Sequence, residues 1–310
     1  MKSIFLHAIR NVRPGSTLLA VLSFTLLCTS AAKAATIPIT SNACGYYITA
    51  PGDYTLETDI GPCEDANGLY IFASDVTLHL NGHTISSTCG AAGWGIFVYG
   101  AAGPLTGVHV VGPGTLKDWE IGVAAFTTSN SSVSLLKVTA NCSTFTEGFY
   151  LDSTLSQWTL LGNVIEGPGD NQSWGIFSVA SGNTIVGNSV NDSMVFSEGS
   201  SNNYIAGNIL SDTLVLYYAS NNVVFGNFVS NSVGSGIYDY AGSNNQILAN
   251  TTDNNKGPGI QLTGGTTGEL VTLNQSLNNT PWDMEDDNPA CGTDNWQRNT
   301  FKTANQTCIH

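Results

Sequence analysis

The chain has 310 residues, 23 of them acidic against 9 basic, for a formal charge of −14; 10% of residues are charged and 42% hydrophobic. This balance excludes a nucleic-acid-binding surface, which needs clustered lysine and arginine, and it excludes an acidic disordered chain, because apolar residues suffice for a core. Small polar residues take the place of charge, with 34 glycines and 30 asparagines.

Residues 1–35 read as a secretory signal peptide: Lys2, Arg10 and Arg13, an apolar run from Thr17 to Leu27, then Ala31-Ala32-Lys33-Ala34-Ala35, with cleavage after Ala34 or Ala35. The run is too short for a stop-transfer helix, so the exported chain is expected to be secreted or periplasmic, with no membrane span after cleavage. Four basic residues leave with the signal. What remains carries five basic residues, with Arg298 the single arginine, and a net charge of −18. Six cysteines also remain, an even number that suggests disulfides in an oxidising compartment. Proximity favours Cys44–Cys63 and Cys291–Cys308 and leaves Cys89 with Cys142, although six cysteines allow fifteen pairings.

Residues 36–67, with the first cysteine pair and the turn Ala50-Pro51-Gly52-Asp53, suit an N-terminal cap for the repeats that follow. From 68 to 279 one unit recurs. Its first motif is polar-x-aliphatic-x-Gly-Asn, as in Asn183-Thr-Ile-Val-Gly-Asn188, Asn203-Tyr-Ile-Ala-Gly-Asn208 and Asn222-Val-Val-Phe-Gly-Asn227. Looser copies end on Asn163, Asn250 and Asn274, and the six asparagines are 19 to 25 residues apart. A second motif opens on a small residue and alternates apolar positions, from Gly68-Leu-Tyr-Ile71 to Gly259-Ile-Gln-Leu262, nine times in all.

Strands of three to five residues with period-2 alternation cannot each bury a face alone. Stacked on copies of themselves about 4.8 Å apart, they form continuous apolar columns. Asparagine at each turn then passes amide hydrogen bonds up and down the stack. Gly162, Gly187, Gly207 and Gly226 relieve the turn before it. A further polar column, Asp192, Asp212, Asn231, Asn254 and Asn278, is expected to cap the next turn.

The Asn-x-Ile-x-Gly-Asn repeat and the segment Val76-Thr-Leu-His-Leu-Asn-Gly-His-Thr-Ile85 resemble right-handed parallel β-helix repeat proteins, a group that includes NosD and many polysaccharide-acting proteins. The resemblance covers residues 44–279 and implies an all-β fold: a single-stranded right-handed parallel β-helix of about nine coils, with a cap at each end. It implies little about activity, since this fold hosts lyases, hydrolases, epimerases, tailspikes and adhesins. A pectate-lyase-like elimination would need an arginine or lysine base, and the repeats hold only Lys117, Lys137 and Lys256. The motifs of polygalacturonases and alginate epimerases are absent from the coils.

Residues 280–310 change composition and read as a disulfide-pinned C-terminal cap. Its acidic run Asp283, Glu285, Asp286 and Asp287 has oxygen ligands of the kind calcium takes, against the plainer reading of a solvated turn. No cofactor is required; calcium is the candidate. His79 and His83 raise the question of copper, but four residues of strand separate them by about 13 Å unless Asn81-Gly82 bends the chain. His109 reads as an outward strand residue, and Asp239 takes an inward position held elsewhere by Val98, Leu151, Leu216 and Leu262.

The outward position of the second motif is aromatic in five of nine coils: Tyr70, Phe97, Tyr150, Phe177 and Tyr238. Sugar rings stack on such faces, while aromatic residues also favour strands and cover one another. Two functions of different class follow. The first is a secreted protein that binds or processes an extracellular polysaccharide or cell-surface glycan. The second is a non-catalytic structural or adhesive surface protein.

Overall fold

The structure is a computed structural model that describes residues 35–64, 66–89, 93–140, 147–168 and 173–310. The expected signal, apart from Ala35, and Cys142 of the third expected cysteine pair lie outside the described residues.

Every named strand pairing is parallel, and strands separated by one turn of chain pair with each other. The described chain is a parallel β-helix with three strand tracks. One track is an eleven-stranded sheet that starts at Tyr46–Ile48 and ends at Met284–Asp286. The other two run side by side, for example through Thr184–Val186 and Ser189–Val190. They fuse in the long strands Val108–Lys117 and Thr128–Thr139 into one broad sheet.

Eleven rungs exceed the expected nine, because one strand at each end comes from a segment read as a cap. Tyr46–Ile48 pairs with Leu69–Ile71, and Met284–Asp286 pairs with Ile260–Thr263. The first of these opens on Gly45 like its sisters, a signal that was legible. The last opens on Asp283 and carries no glycine.

The period of two sends alternate residues inward, and parallel register stacks them. Leu160, Ile185, Ile205, Val224, Ile247, Val271 and Trp296 form one column. Ile176, Met194, Leu214, Ile237, Ile260 and Met284 form another, and all are fully buried. Each such side chain contributes about 1.5–3 kcal/mol relative to exposure. Close stacking also explains the glycines that open the strands. A Cβ on Gly122 would lie 2.5 Å from the carbonyl oxygen of Gly148, and one on Gly148 would lie 2.5 Å from that of Gly175.

The asparagine column is a hydrogen-bonded ladder. Asn188 donates its backbone N–H and its Nδ2 to Oδ1 of Asn208 at 2.9 and 3.0 Å, and Nδ2 of Asn208 donates to the carbonyl of Ile185 at 2.9 Å. The ladder runs one rung beyond Asn274, to Asn299. The first residues of the same motif make a second ladder: backbone N–H groups of Asn183, Asn203 and Asn222 donate to Oδ1 of Asn203, Asn222 and Asn245. Buried amides, costly when unpaired, thus become part of the stack.

The further polar column needs correction. Asp192 and Asp212 are buried, and the members that continue their column are Ser232, Asn255 and Asn279, one residue later than predicted. Asn231, Asn254 and Asn278 are exposed, left-handed residues with φ of 62°, 57° and 61°. An extra turn residue in these rungs moves the inward position by one.

Two expected disulfides are present, Cys44–Cys63 and Cys291–Cys308. In the C-terminal segment Trp296 is buried, and its Nε1 donates to Oδ2 of Asp286 at 2.8 Å.

Candidate functional site

The five aromatic residues singled out from the sequence fall in one outward column of the eleven-stranded sheet. In register this column reads Tyr47, Tyr70, Phe97, Ala124, Tyr150, Phe177, Val195, Val215, Tyr238, Gln261 and Glu285. Tyr47 extends it into the N-terminal segment and is 56% exposed. A second outward column, two residues further along each strand, carries Tyr99 and Phe126 and later Tyr217 and Tyr240. Phe126 bridges the gap that Ala124 leaves, with its ring 5.7 Å from Phe97 and 5.4 Å from Tyr150. Sequence reading found the first column through its glycine and missed the second, which has no marker of its own.

The rings lie against one another. Tyr47 stacks on Tyr70 at 4.5 Å, Tyr150 on Phe177 at 5.8 Å, and Trp174 on Phe177 at 4.6 Å. Such pairs add about 0.5–1.5 kcal/mol each beyond burial. Their outer faces and edges stay accessible, because the first column is only half-buried at Tyr70, Phe97, Tyr150, Phe177 and Tyr238.

Val195 and Val215 divide the face. On their C-terminal side lie four tyrosines, Tyr217, Tyr218, Tyr238 and Tyr240, with Tyr217 stacked on Tyr240 at 5.1 Å. A shallow depression here is lined by hydroxyls of Ser193, Thr213, Ser235 and Thr263, the amide of Gln261 and the ring of Tyr238, with Val215 and Gly234 as its apolar part. Ser235 Oγ donates to Oε1 of Gln261 at 2.6 Å and holds that side chain in place.

Carboxylates border this end. Burial, and then the charge of Asp287, push the Glu285 carboxyl up to about 7. Burial raises the Tyr238 phenol, with Tyr240 and Asp287 adding to the effect. Burial also raises Tyr150, where Asp152 and Glu147 contribute.

The four acids considered for calcium are not brought together. Asp283 is buried, and its Oδ2 accepts backbone N–H groups of Lys302 and Thr303 at 2.8 and 3.2 Å. Asp286 is buried on the inner side, between Asn288 and Trp296. Glu285 alone of the four stands in the outward aromatic column, with Asp287 two residues on and exposed. Strand alternation turns Asp286 away from Glu285 and Asp287, and the backbone groups of Lys302 and Thr303 hold Asp283 apart from all three.

The histidines are equally dispersed. His79 Nε2 lies 2.9 Å from Asp53 Oδ1, and His83 Nδ1 lies 3.0 Å from Asp59 Oδ1. The Asn81-Gly82 turn does bend the chain, with φ of 53° and 86°, but it delivers each imidazole to a different carboxylate. His109, half-buried, meets Ser132. Residues 129–307 contain no histidine, and their two methionines, Met194 and Met284, are fully buried in the core. Cys291 is in a disulfide. Among the described residues no group of three or more His, Cys, Asp or Glu is placed to hold a metal ion. These residues do not fit a copper centre.

Asp239 does point inward and is fully buried, between Leu216 and Leu262 in register. Its Oδ2 accepts from Nδ2 of Asn245 at 3.0 Å. Glu269, also fully buried, occupies the place after Asn245 in the second ladder, where the lower rungs have asparagine, and its N–H donates to Oδ1 of Asp294. Among the described residues no helix is long and apolar enough to cross a membrane.

Solved structures with the same architecture include the Dettilon tailspike protein gp208, at 10% identity and TM-score 0.51, with 84% of this chain and 60% of that chain covered. ORF18 of Geobacillus virus E2 is 12% identical at TM-score 0.51, covering 86% of this chain and 53% of that one. The A-module of the mannuronan C-5 epimerase AlgE4 of Azotobacter vinelandii is 12% identical at TM-score 0.46, covering 83% and 86%. At these identities the likeness to the two viral proteins is one of fold. The chain therefore spans little more than half of each viral protein. No curated protein sequence matches significantly. The sequence profile of the periplasmic copper-binding protein (NosD) family matches residues 129–307, more than half of the chain and most of its ladder-forming rungs. The chain belongs to the periplasmic copper-binding protein (NosD) family.

Proposed function

We propose that the protein is an exported glycan-binding protein whose binding surface is the aromatic face of the eleven-stranded sheet. One observation carries this reading: Tyr47, Tyr70, Phe97, Tyr150, Phe177 and Tyr238 share a single outward column, repeated at rung spacing along a rigid stack. A sugar chain running along the stack meets rings at Tyr47, Tyr70 and Phe97 and again at Tyr150 and Phe177, with Phe126 filling the gap at Ala124, and each contact adds to the next. The periplasmic family and the two disulfides support export, with the signal peptide and the two end caps as further parts of the same reading. No cofactor enters it. The alternative, a structural or adhesive spacer, rests on the same rings covering one another.

A glycan array probed with the purified protein, with and without calcium, tests the proposal. Binding to at least one extended glycan is expected. The double substitution Tyr150→Ala, Phe177→Ala should weaken it about tenfold, the worth of two lost ring contacts. If no polysaccharide is bound and none is cleaved, the spacer reading replaces it.

A further inference from the structure

Charge is divided between the two sheets. The eleven strands of the aromatic sheet contain no lysine, arginine or histidine. The strands of the broad sheet hold His79, His109, Lys117 and Lys137. Lys137 forms an ion pair there with Glu166 at 2.9 Å, and His79 lies 2.9 Å from Asp53. The aromatic face therefore presents carboxylates and rings with no basic strand residue among them.

Rings and carboxyl groups meet in two places, at Tyr150 beside Asp152 and Glu147 and at the C-terminal end, where the depression also lies. Column one runs Tyr238, Gln261, Glu285, and column two runs Tyr217, Tyr240, Thr263, with Asp287 two residues beyond Glu285. Glu285 thus stands one rung from Gln261, which lines the depression with Ser235 and Tyr238, and two rungs from Tyr238; Asp287, two residues on, is exposed. Charge reaches the rings: the raised phenol of Tyr238 responds to Asp287, and that of Tyr218, which Tyr240 affects most, also responds to Glu198. Four electron-rich tyrosine rings two to three rungs from these carboxyl groups form with them an extended surface for an organic polycation, because the ring quadrupole and the carboxylate charge attract the same sign. Hydroxyls and an amide in the same depression suit the hydroxyls of a sugar.

We infer that the C-terminal half of this face binds a glycan that carries protonated amino groups, with Glu285 and Asp287 receiving the ammonium groups and Tyr217, Tyr218, Tyr238 and Tyr240 receiving the sugar rings. The inference rests on the glycan-binding reading and adds its charge class. The occupant follows from charge complementarity: a net −18 chain beyond the expected signal and a face without basic strand residues repel polyuronates and attract an amino-sugar polymer.

The test is binding of three hexamers to the purified protein at pH 7, where the Glu285 carboxyl, pushed up to about 7, is about half ionised: β-1,4-glucosamine, its N-acetylated counterpart, and cellohexaose. The glucosamine hexamer is expected to bind at least about tenfold more tightly than either neutral hexamer, and to lose most of that advantage in 0.5 M NaCl, where exposed charges are screened. Glu285→Gln with Asp287→Asn should remove the advantage, while Glu166→Gln on the broad sheet should leave it intact. Equal or tighter binding of the neutral hexamers overturns the charge inference and leaves glycan binding standing. Binding of none of the three, together with a silent glycan array, overturns both. If the double variant folds but keeps the full preference, the assignment to Glu285 and Asp287 is wrong.

Discussion

Asn227 Oδ1 accepts two hydrogen bonds from Asn208, one from the backbone N–H and one from Nδ2, each at 2.9 Å. Nδ2 of Asn227 in turn donates to the carbonyl of Ile205 and to Oδ1 of Asn250. All of these groups are buried, so each depends on the ladder for its partner. Asn227→Leu, similar in volume, leaves several of them unpaired at about 1–3 kcal/mol each. A loss of at least about 3 kcal/mol is expected in urea unfolding. A loss under about 1 kcal/mol would mean that the ladder records the fold without stabilising it.

The residue before each ladder asparagine is left-handed whatever its type: Gly187, Gly207 and Gly226 have φ of 66°, 61° and 62°, and Ala249 and Leu273 have 53° and 61°. A side chain in that region costs about 1–2 kcal/mol, partly offset by the lower chain entropy of the unfolded non-glycine residue. Ala249→Gly should therefore stabilise by about 0.5–1 kcal/mol. Gly207→Ala should destabilise by a similar amount, since nothing lies within 4 Å of its added Cβ. Thermal midpoints moving in the same direction for both variants would contradict the argument.

Gly148 is a different case. Its Cβ would sit 2.5 Å from the carbonyl oxygen of Gly175 and 2.6 Å from Cγ2 of Ile165, which is inside contact distance on both sides. Gly148→Ala must push adjacent rungs apart and should cost more than about 2 kcal/mol. Comparing its urea midpoint with that of Gly207→Ala separates steric from conformational cost in one fold.

Burial raises both interior acids of the C-terminal rungs, Asp239 to about 7 and Glu269, which Asp239 also affects, to about 9. In the unfolded chain such groups titrate near pH 4. Below that, both states are protonated and stability is fully present. Above it the unfolded chain releases protons that the folded chain keeps, so stability falls as pH rises toward and through these folded values. The thermal midpoint should drop between pH 5 and pH 8. Glu269→Asn, which supplies the amide that Asn183, Asn203, Asn222 and Asn245 place in the same ladder, should raise the pH 8 midpoint and flatten the slope. An unchanged slope would show that other groups set it.

Much of the fold was legible because a stack repeats its own instructions. Asn163 to Asn274, the left-handed glycines and the alternating strands each mark one rung, and the register that aligns them follows from the motif, which recurs once per rung even though the rungs differ in length. The aromatic column was legible for the same reason, since the glycine that opens each strand fixes which residue faces out. What escaped was whatever breaks the period. The extra turn residue at Asn231, Asn254 and Asn278 shifted a polar column by one, and the rung at Met284–Asp286 has no glycine to announce it. Asp283 and Asp286 are close to Glu285 and Asp287 in the chain, yet alternation and the C-terminal segment turn the first two inward to backbone groups and Trp296.

Sequence alone determined that this chain builds an acidic, ladder-stabilised parallel β-helix, because short-range pattern and repetition suffice when every rung binds only its neighbours. Tertiary structure decided which charges share a surface. Strands distant in sequence become adjacent only after the chain has coiled, and it is coiling that gathers tyrosines and carboxylates on one sheet and leaves the lysines and histidines of the strands to the other.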